Sequence, residues 1–423
     1  MSFKQPLKAG SVIATLDVGS SKIACFIAQM TDDEGGFKIV GVGHQASQGV
    51  KSGVITDINL AEIAIAQSVH AAEKMASKTI KGYPLRDVVL AVPSTSSDSH
   101  FMDAHVQMMR QTVTENDVRR ALAKAQMKAQ KDDREMVHTI PVDYILDGHR
   151  GIQNPYGMSG QLMDIDIHMV DADYSHLKHI SQCTEHNHLD IVSLCSSPYA
   201  AGLSTLVEDE IDLGAIVIDM GAGVTSYAVF QSGRMLYAGG IPIGGQHITS
   251  DIAHGLTASI ADAERLKTLY GSALATISDE HEYIDVPMMG EQNSKSDQQI
   301  TRSLLINIIQ ARLEETFEMV RQGLADSGVD AARCRRVILT GGASLMPGVQ
   351  DLAQRILSKQ VRCAQSLKVQ GLPDATSGPA FAVSMGLITY YTERPYEMPM
   401  EIALYGDSRS LPERFKSWFK ENW

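Results

Sequence analysis

Two stretches of this chain repeat one pattern, and the repeat limits the fold more than any other feature. Residues 11–29 (SVIATLDVGSSKIACFIAQ) and 214–236 (GAIVIDMGAGVTSYAVFQSGRML) each read as an apolar strand, an Asp-x-Gly turn and a second β-rich strand. Short apolar runs bounded by glycine turns are strand signals. A β-hairpin opening each half of the chain predicts two related α/β domains that face each other. The length of 423 residues exceeds one core and suits two to four lobes. A third strand–turn–helix is expected at residues 334–357, with VILT as a buried strand, Gly341-Gly342 as the turn and 347–357 as the helix. Residues 59–76 and 300–324 place apolar side chains at helical spacing with charges opposite. Residues 273–299 are polar and irregular and predict a surface strand and loop.

The repeated turns also carry chemistry. A nucleotide held between two domains needs close backbone approach to its phosphates, which glycine permits. It also needs carboxylates for Mg2+, usually through water. The first turn supplies Asp17, Gly19, Ser20, Ser21 and Lys22, and the second supplies Asp219, Gly221, Ala222, Gly223, Val224 and Thr225. Asp17 and Asp219 are the candidate Mg2+ groups. Gly341, Gly342, Ala343 and Ser344 offer a backbone surface for the nucleotide, and Glu264 and Lys267 share a helix face suited to ribose hydroxyls and adenine. One Asp-x-Gly turn alone is a common hairpin; these turns in this order with AExxK are far more specific. There is no GxxxxGK[ST] motif. GVGHQA at residues 41–46 resembles a dinucleotide fingerprint, but no helical pattern follows it, so it reads as a strand with glycines.

A formal charge of −13 excludes a nucleic-acid binder, which needs a clustered basic surface. Five scattered cysteines without a CxxC pair read as thiols in a reducing compartment. No apolar stretch reaches the length of a transmembrane helix, and no signal segment precedes the first strand. The expectation is a cytosolic protein whose membrane contact is peripheral.

The last residues supply that contact. At 100° per residue, Leu411, Phe415, Trp418, Phe419 and Trp423 fall within an arc of about 140°. Arg414, Lys416 and Lys420 border it, and Ser410 with Glu413 forms a capping box. Bulky aromatics rimmed by cations describe an interfacial helix attracted to anionic lipid. The plainer alternative is a helix that docks on the protein's own body.

These motifs resemble the actin/Hsp70/sugar-kinase superfamily and, within it, the FtsA family of bacterial division proteins. The resemblance covers essentially the whole chain. It implies an actin-like, ribonuclease H-like duplicated α/β fold, with two lobes around a nucleotide cleft and an inserted subdomain. It would assign residues 12–84, 166–198 and 378–392 to the first lobe and 85–165 to the insertion. The second lobe core would be 199–244 with 305–377, its small subdomain 245–304, then a linker at 393–409 and the membrane helix at 410–423. The two Asp-Gly hairpins would be the phosphate loops and GGAS the adenosine loop. ATP and Mg2+ are the implied cofactors. Ala222 stands where relatives carry an acid or a glycine, which implies weak or absent hydrolysis.

The same resemblance implies self-assembly into filaments at the septum, on the cytoplasmic side of the inner membrane. It also implies tethering of the tubulin-like FtsZ through its C-terminal peptide, and recruitment of later division proteins. Arg302 and Arg312 resemble basic positions of that peptide's docking region; a solvated helix face explains them equally. His176, His179, Cys183, His186 and His188 suit either a metal site or one surface helix. A sugar or acetate kinase would need a substrate-facing base in the cleft, a chaperone a β-rich substrate domain, and a pilus-assembly homologue would lack the aromatic basic tail.

Overall fold

Each Asp-x-Gly aspartate stands next to last in the central strand of its own five-stranded sheet, and the rest of the architecture follows from that placement. The computed structural model describes residues 7–33, 35–108, 112–287, 298–365 and 369–393. The expected C-terminal helix, and the linker beyond residue 393, lie outside the described residues. The first half runs β1 (Val12–Val18), β2 (Lys22–Met30), β3 (Phe37–Ala46), a short hairpin of β4 (Val50–Lys51) and β5 (Val54–Ile55), then α1 (Ile58–Ile80) and β6 (Asp87–Val92). Next come β7 (Ser97–Gln107), α2 (Glu115–Ala129), β8 (Arg134–Leu146), β9 (His149–Ile152) and β10 (Leu162–Asp173). The chain continues through α3 (Tyr174–His186), β11 (Asp190–Ser196), α4 (Ser197–Thr205) and α5 (Glu208–Leu213). The second half runs β12 (Ala215–Met220), β13 (Thr225–Gln231), β14 (Arg234–Ile241), α6 (Gly245–Leu256), α7 (Ile260–Tyr270), β15 (Tyr283–Val286) and β16 (Gln298–Thr301). It closes with α8 (Arg302–Asp326), β17 (Arg336–Thr340), α9 (Val349–Leu357), β18 (Gln360–Cys363) and α10 (Ala382–Glu393).

The two large sheets have one topology. Their orders are β11-β6-β1-β2-β3 and β14-β13-β12-β17-β18. In each, the aspartate strand pairs antiparallel with the strand after it and parallel with a later one. The hairpin repeat in the sequence is therefore a repeat of whole sheets. Strand period sets their faces. Ala215 and Val217 pack toward the first lobe's core, while Ile216 and Ile218 pack into the second lobe's own core. In β3, Gly41 and Gly43 admit α1; a Cβ on Gly43 would stand 1.9 Å from the Ser68 carbonyl oxygen. The GVG run is thus a strand shaved for a helix.

A third, four-stranded sheet, β7-β10-β8-β9, carries α2 on one face. This module begins later than residue 85, because β6 pairs with β1 and β11 in the lobe sheet. It also extends past 165, because β10 pairs with β7 and β8 as far as Asp173. The module docks on β14, the edge strand of the second lobe. His168 Nδ1 lies 3.1 Å from the Met235 carbonyl, Arg234 reaches the carbonyls of Val142 and Gln153, and the Ala238 N–H donates to Ser99 Oγ at 3.2 Å. An open sheet edge is thereby covered.

The lobes join where α10 crosses α4. A Cβ on Gly386 would lie 1.7 Å from the Ala200 carbonyl oxygen, so the two backbones are in contact. Around this crossing, Tyr199, Ala200, Ala201, Val383, Leu387 and Tyr390 share one buried cluster with strands of both lobes.

Candidate functional site

The two turns close by the same bond. The Gly19 N–H donates to the Lys22 carbonyl at 3.0 Å, and the Gly221 N–H donates to the Val224 carbonyl at 2.9 Å. A Cβ would stand 2.9 Å and 2.8 Å from those same carbonyl oxygens, so glycine keeps each turn tight. The turns meet across the lobes: a Cβ on Gly223 would fall 2.5 Å from Ser20 Oγ, and Gln246 Nε2 donates to the Ser20 carbonyl at 3.3 Å.

Between the lobes lies a cleft of about 1150 Å³. Asp17, Gly19, Ser20, Ser21 and Lys22 line it from the first lobe, and Asp219, Gly221, Ala222, Gly223 and Val224 from the second. Glu264, Lys267, Gly341, Gly342 and Ala343 complete its other end. Two expected members stand behind this surface. Thr225 is the first residue of β13 and fully buried, because the strand turns its side chain inward. The buried Ser344 hydroxyl is spent on the Gly341 carbonyl at 2.7 Å, which closes the 3-10 turn of residues 342–345.

Gly341 is the tightest point. Its φ is +84°, and a Cβ would stand 2.4 Å from Asp219 Oδ1 and 2.5 Å from the Met220 carbonyl oxygen. Its N–H, with the Thr340 hydroxyl, donates to the Pro379 carbonyl at 3.1 Å. The same turn before α10 receives Lys22, whose Nζ donates to the Ala380 carbonyl and sits 4.1 Å over the Phe381 ring. The Gly341 turn, Lys22 and the α10–α4 crossing are therefore mechanically one unit.

Two carboxyls and one ammonium meet in the cleft, and burial shifts all three. Burial pushes the Asp17 carboxyl up to about 6, with Lys22 pulling it back. Burial and then the charge of Asp17 push Asp219 up to about 7, again opposed by Lys22. Burial lowers Lys22, and both carboxylates counter it. Among the described residues no group of three or more His, Cys, Asp or Glu could hold a metal ion. A divalent cation here would take most of its ligands from water and phosphate, which is Mg2+ chemistry.

At the far end, Lys267 Nζ donates to the Gly245 carbonyl (3.1 Å), Thr249 Oγ1 (2.8 Å) and Glu264 Oε2 (2.6 Å). An ammonium has three protons, so all are committed. Lys267 holds Glu264 in place, and Glu264 stays half exposed toward the cleft. Thr249 was not foreseen, although it sits one turn into α6 and hydrogen-bonds Glu264 at 2.5 Å. The hairpin residues Lys51, Ser52 and Gly53 also line the cleft and were not foreseen.

The two arginines expected to meet a partner are engaged internally. Arg302 pairs with Asp279 and Glu282, each at 3.0 Å, and Arg312 pairs with Asp251 and Glu315. The histidines of α3 do not converge: His176 is buried, while His186 is exposed and pairs with Glu62 at 3.0 Å.

Comparison with known proteins bears on the family and the fold. The family model described as Cell division protein FtsA matches residues 216–386, and that of the SHS2 domain inserted in FtsA matches 96–171. Cell division protein FtsA of Agrobacterium fabrum is 37% identical over 98% of this chain and 96% of its own length. The Escherichia coli K12 protein is 29% identical over 97% of this chain and 98% of its own. Among solved structures, the PilM–PilN type IV pilus biogenesis complex has a TM-score of 0.63 at 15% identity, covering 90% of this chain and 98% of that one. MreB5 of Spiroplasma citri bound to ADP scores 0.54 at 13% identity, covering 90% and 98%. These distant structures share the actin-like fold. By its near full-length identity to curated relatives, the chain belongs to the FtsA family of cell division proteins.

Proposed function

We propose that this chain binds Mg2+·ATP between its lobes, assembles on the cytoplasmic face of the bacterial inner membrane at the septum, tethers FtsZ filaments there and recruits later division proteins. The observation that carries the nucleotide reading is the facing pair of Asp-x-Gly turns with Gly341 pressed against Asp219. Glycine backbone on three sides leaves room for phosphate oxygens, and the two carboxylates suit a hydrated divalent ion. Bound Mg2+ would neutralise phosphate charge; Asp17 and Asp219 would hold its water shell, and Glu264 would face the ribose. Ala222 brings no acid to the turn, in keeping with weak hydrolysis or none.

An exposed apolar surface on the second lobe supports peptide tethering. Ile277 and Tyr283 are 85% and 65% exposed, beside the ion pairs of Arg302. In this reading Arg302 shapes the dock rather than offering a free charge. The aromatic, cation-rimmed pattern of residues 411–423 supports a lipid anchor. One such helix holds reversibly, and an assembled polymer holds tightly through avidity.

Calorimetric titration with Mg2+·ATP tests the cleft: tight binding is expected, with loss in Asp219→Ala and Gly342→Asp. Retained affinity in both would sink the nucleotide assignment. Co-sedimentation with anionic vesicles tests the anchor, and equal binding by a chain lacking residues 409–423 would remove it. Pull-down with an FtsZ C-terminal peptide tests the tether.

A further inference from the structure

We infer that Lys51, carried by the β4–β5 hairpin, is a further binding residue that reads the terminal phosphate of the nucleotide. The inference rests on the nucleotide reading above. The hairpin is a built element. Val50 pairs with Ile55 and Lys51 with Val54, and the linking residues Ser52 and Gly53 have φ of +48° and +79°. Two positive φ values are what a type I′ turn requires. Its base is closed by the N–H groups of Thr56 and Asp57, which donate to the Gly49 carbonyl at 2.7 and 3.1 Å.

Three contacts fix the hairpin at the phosphate end of the cleft. The Gly53 N–H donates to Ser20 Oγ in the first phosphate turn at 2.9 Å. Thr95 Oγ1 donates to the Ser52 carbonyl at 3.1 Å. A Cβ on Gly223, in the second phosphate turn, would stand 3.0 Å from the Ser52 Cα. The hairpin therefore abuts both turns, whereas Glu264 and Gly342 mark the nucleoside end. A nucleotide lying between them presents its last phosphate, not its first, to the hairpin.

Charge makes Lys51 the group that answers it. Lys22 is committed to the Ala380 carbonyl and lies between two carboxylates. The first two amides of α6 are spent as well, since Gly245 and Gln246 donate to the carbonyls of Gly221 and Ala222 at 3.0 and 2.8 Å. Lys51 lines the cleft, is exposed, and has no side-chain partner among the described residues. An ammonium on a four-carbon stem suits a phosphate that is present in one ligand and missing from another.

The test is calorimetric titration of the full-length chain with Mg2+·ATP and with Mg2+·ADP, for the natural protein, Lys51→Gln and Lys51→Arg. Lys51→Gln should weaken Mg2+·ATP about tenfold, the usual size of one charge-assisted bond, and leave Mg2+·ADP within about twofold. Lys51→Arg should restore most of the difference. Equal loss for both nucleotides, or no loss, overturns the inference. Failure of the natural protein to bind either nucleotide overturns instead the reading beneath it.

Discussion

Asp219 answers to burial, a neighbouring acid and a neighbouring lysine at once, and so gives the ligand-free cleft a pH dependence of its own. Its carboxyl titrates near 7 when folded against 3.8 for the free group, and that of Asp17 near 6. Between those values the folded state binds more protons at these two groups than the unfolded one does, so their contribution to stability falls as pH rises from about 4 to 7 and is level above, while buried His168 and His176, lowered to about 3 and about 4, contribute in the opposite sense. Asp219→Asn removes one such group. We expect the variant to be more stable than the natural protein at pH 8 by about 1–2 kcal/mol, a discount on the full conversion because the cleft is open to solvent. The gap should close at pH 4. Urea midpoints in chelator at both pH values measure it; a constant gap would count against burial as the cause. At this scale the sequence was most legible where a tight turn or the cleft wall sets the residue, as at Asp17, Gly19, Asp219 and Gly341. Thr225 and Ser344 were misplaced because a turn motif does not say which side chains a following strand or 3-10 turn faces inward. Lys51 escaped notice because two paired residues on each side leave no periodicity to detect.

Among the elements, α10 shows what pattern alone withholds. Eight of its residues, from Ala382 to Tyr390, are buried, and an apolar all-round helix signals burial without naming the neighbour. The neighbour is α4, against which Gly386 lies too close for any side chain. Helices α1 and α8 were legible because each has a polar face, though α1 runs on to Ile80, where Lys81 takes a left-handed conformation (φ +52°) and stops it. Gly386→Ala must push α10 and α4 apart. Overpacking of this kind costs about 1–3 kcal/mol, so the urea midpoint should fall with an unchanged slope. Because α10 begins at the turn that holds Lys22 and Gly341, Mg2+·ATP affinity should fall as well. A variant with the lower midpoint and undiminished affinity would separate the helix crossing from the cleft.

Taken whole, the molecule is two copies of one sheet plus a module that belongs to the first by chain and touches both, with Val137, Ile140, Val170 and Ala172 in the first lobe's core and Arg234, Met235 and Ala238 of β14 against it. The duplication was readable because its hairpins repeat in order. The docking of the module on β14 was not, because it is made by scattered residues, His168, Ser99 and Arg234 among them, with nothing local to mark any of them. Arg234 is nearly buried, donates to the carbonyls of Val142 and Gln153, and stands 5.9 Å from the Tyr144 ring centre. The module has its own core, in which Val118, Leu122 and Ala125 of α2 face Met163, Ile165 and Ile167 of β10. Such a unit can unfold apart from the lobes once its dock is weakened. Arg234→Ala leaves acceptors at the dock short of a charged donor, a loss of about 2 kcal/mol, and it falls on the dock rather than on either core. Scanning calorimetry of the variant should therefore show an earlier transition for the module, with a calorimetric enthalpy exceeding the van't Hoff value. On the proposed nucleotide reading, Mg2+·ATP should raise the later transition and leave the earlier one nearly in place. A single transition that the nucleotide moves as one would mean instead that the module's core depends on the lobes, and that it reports on the cleft directly.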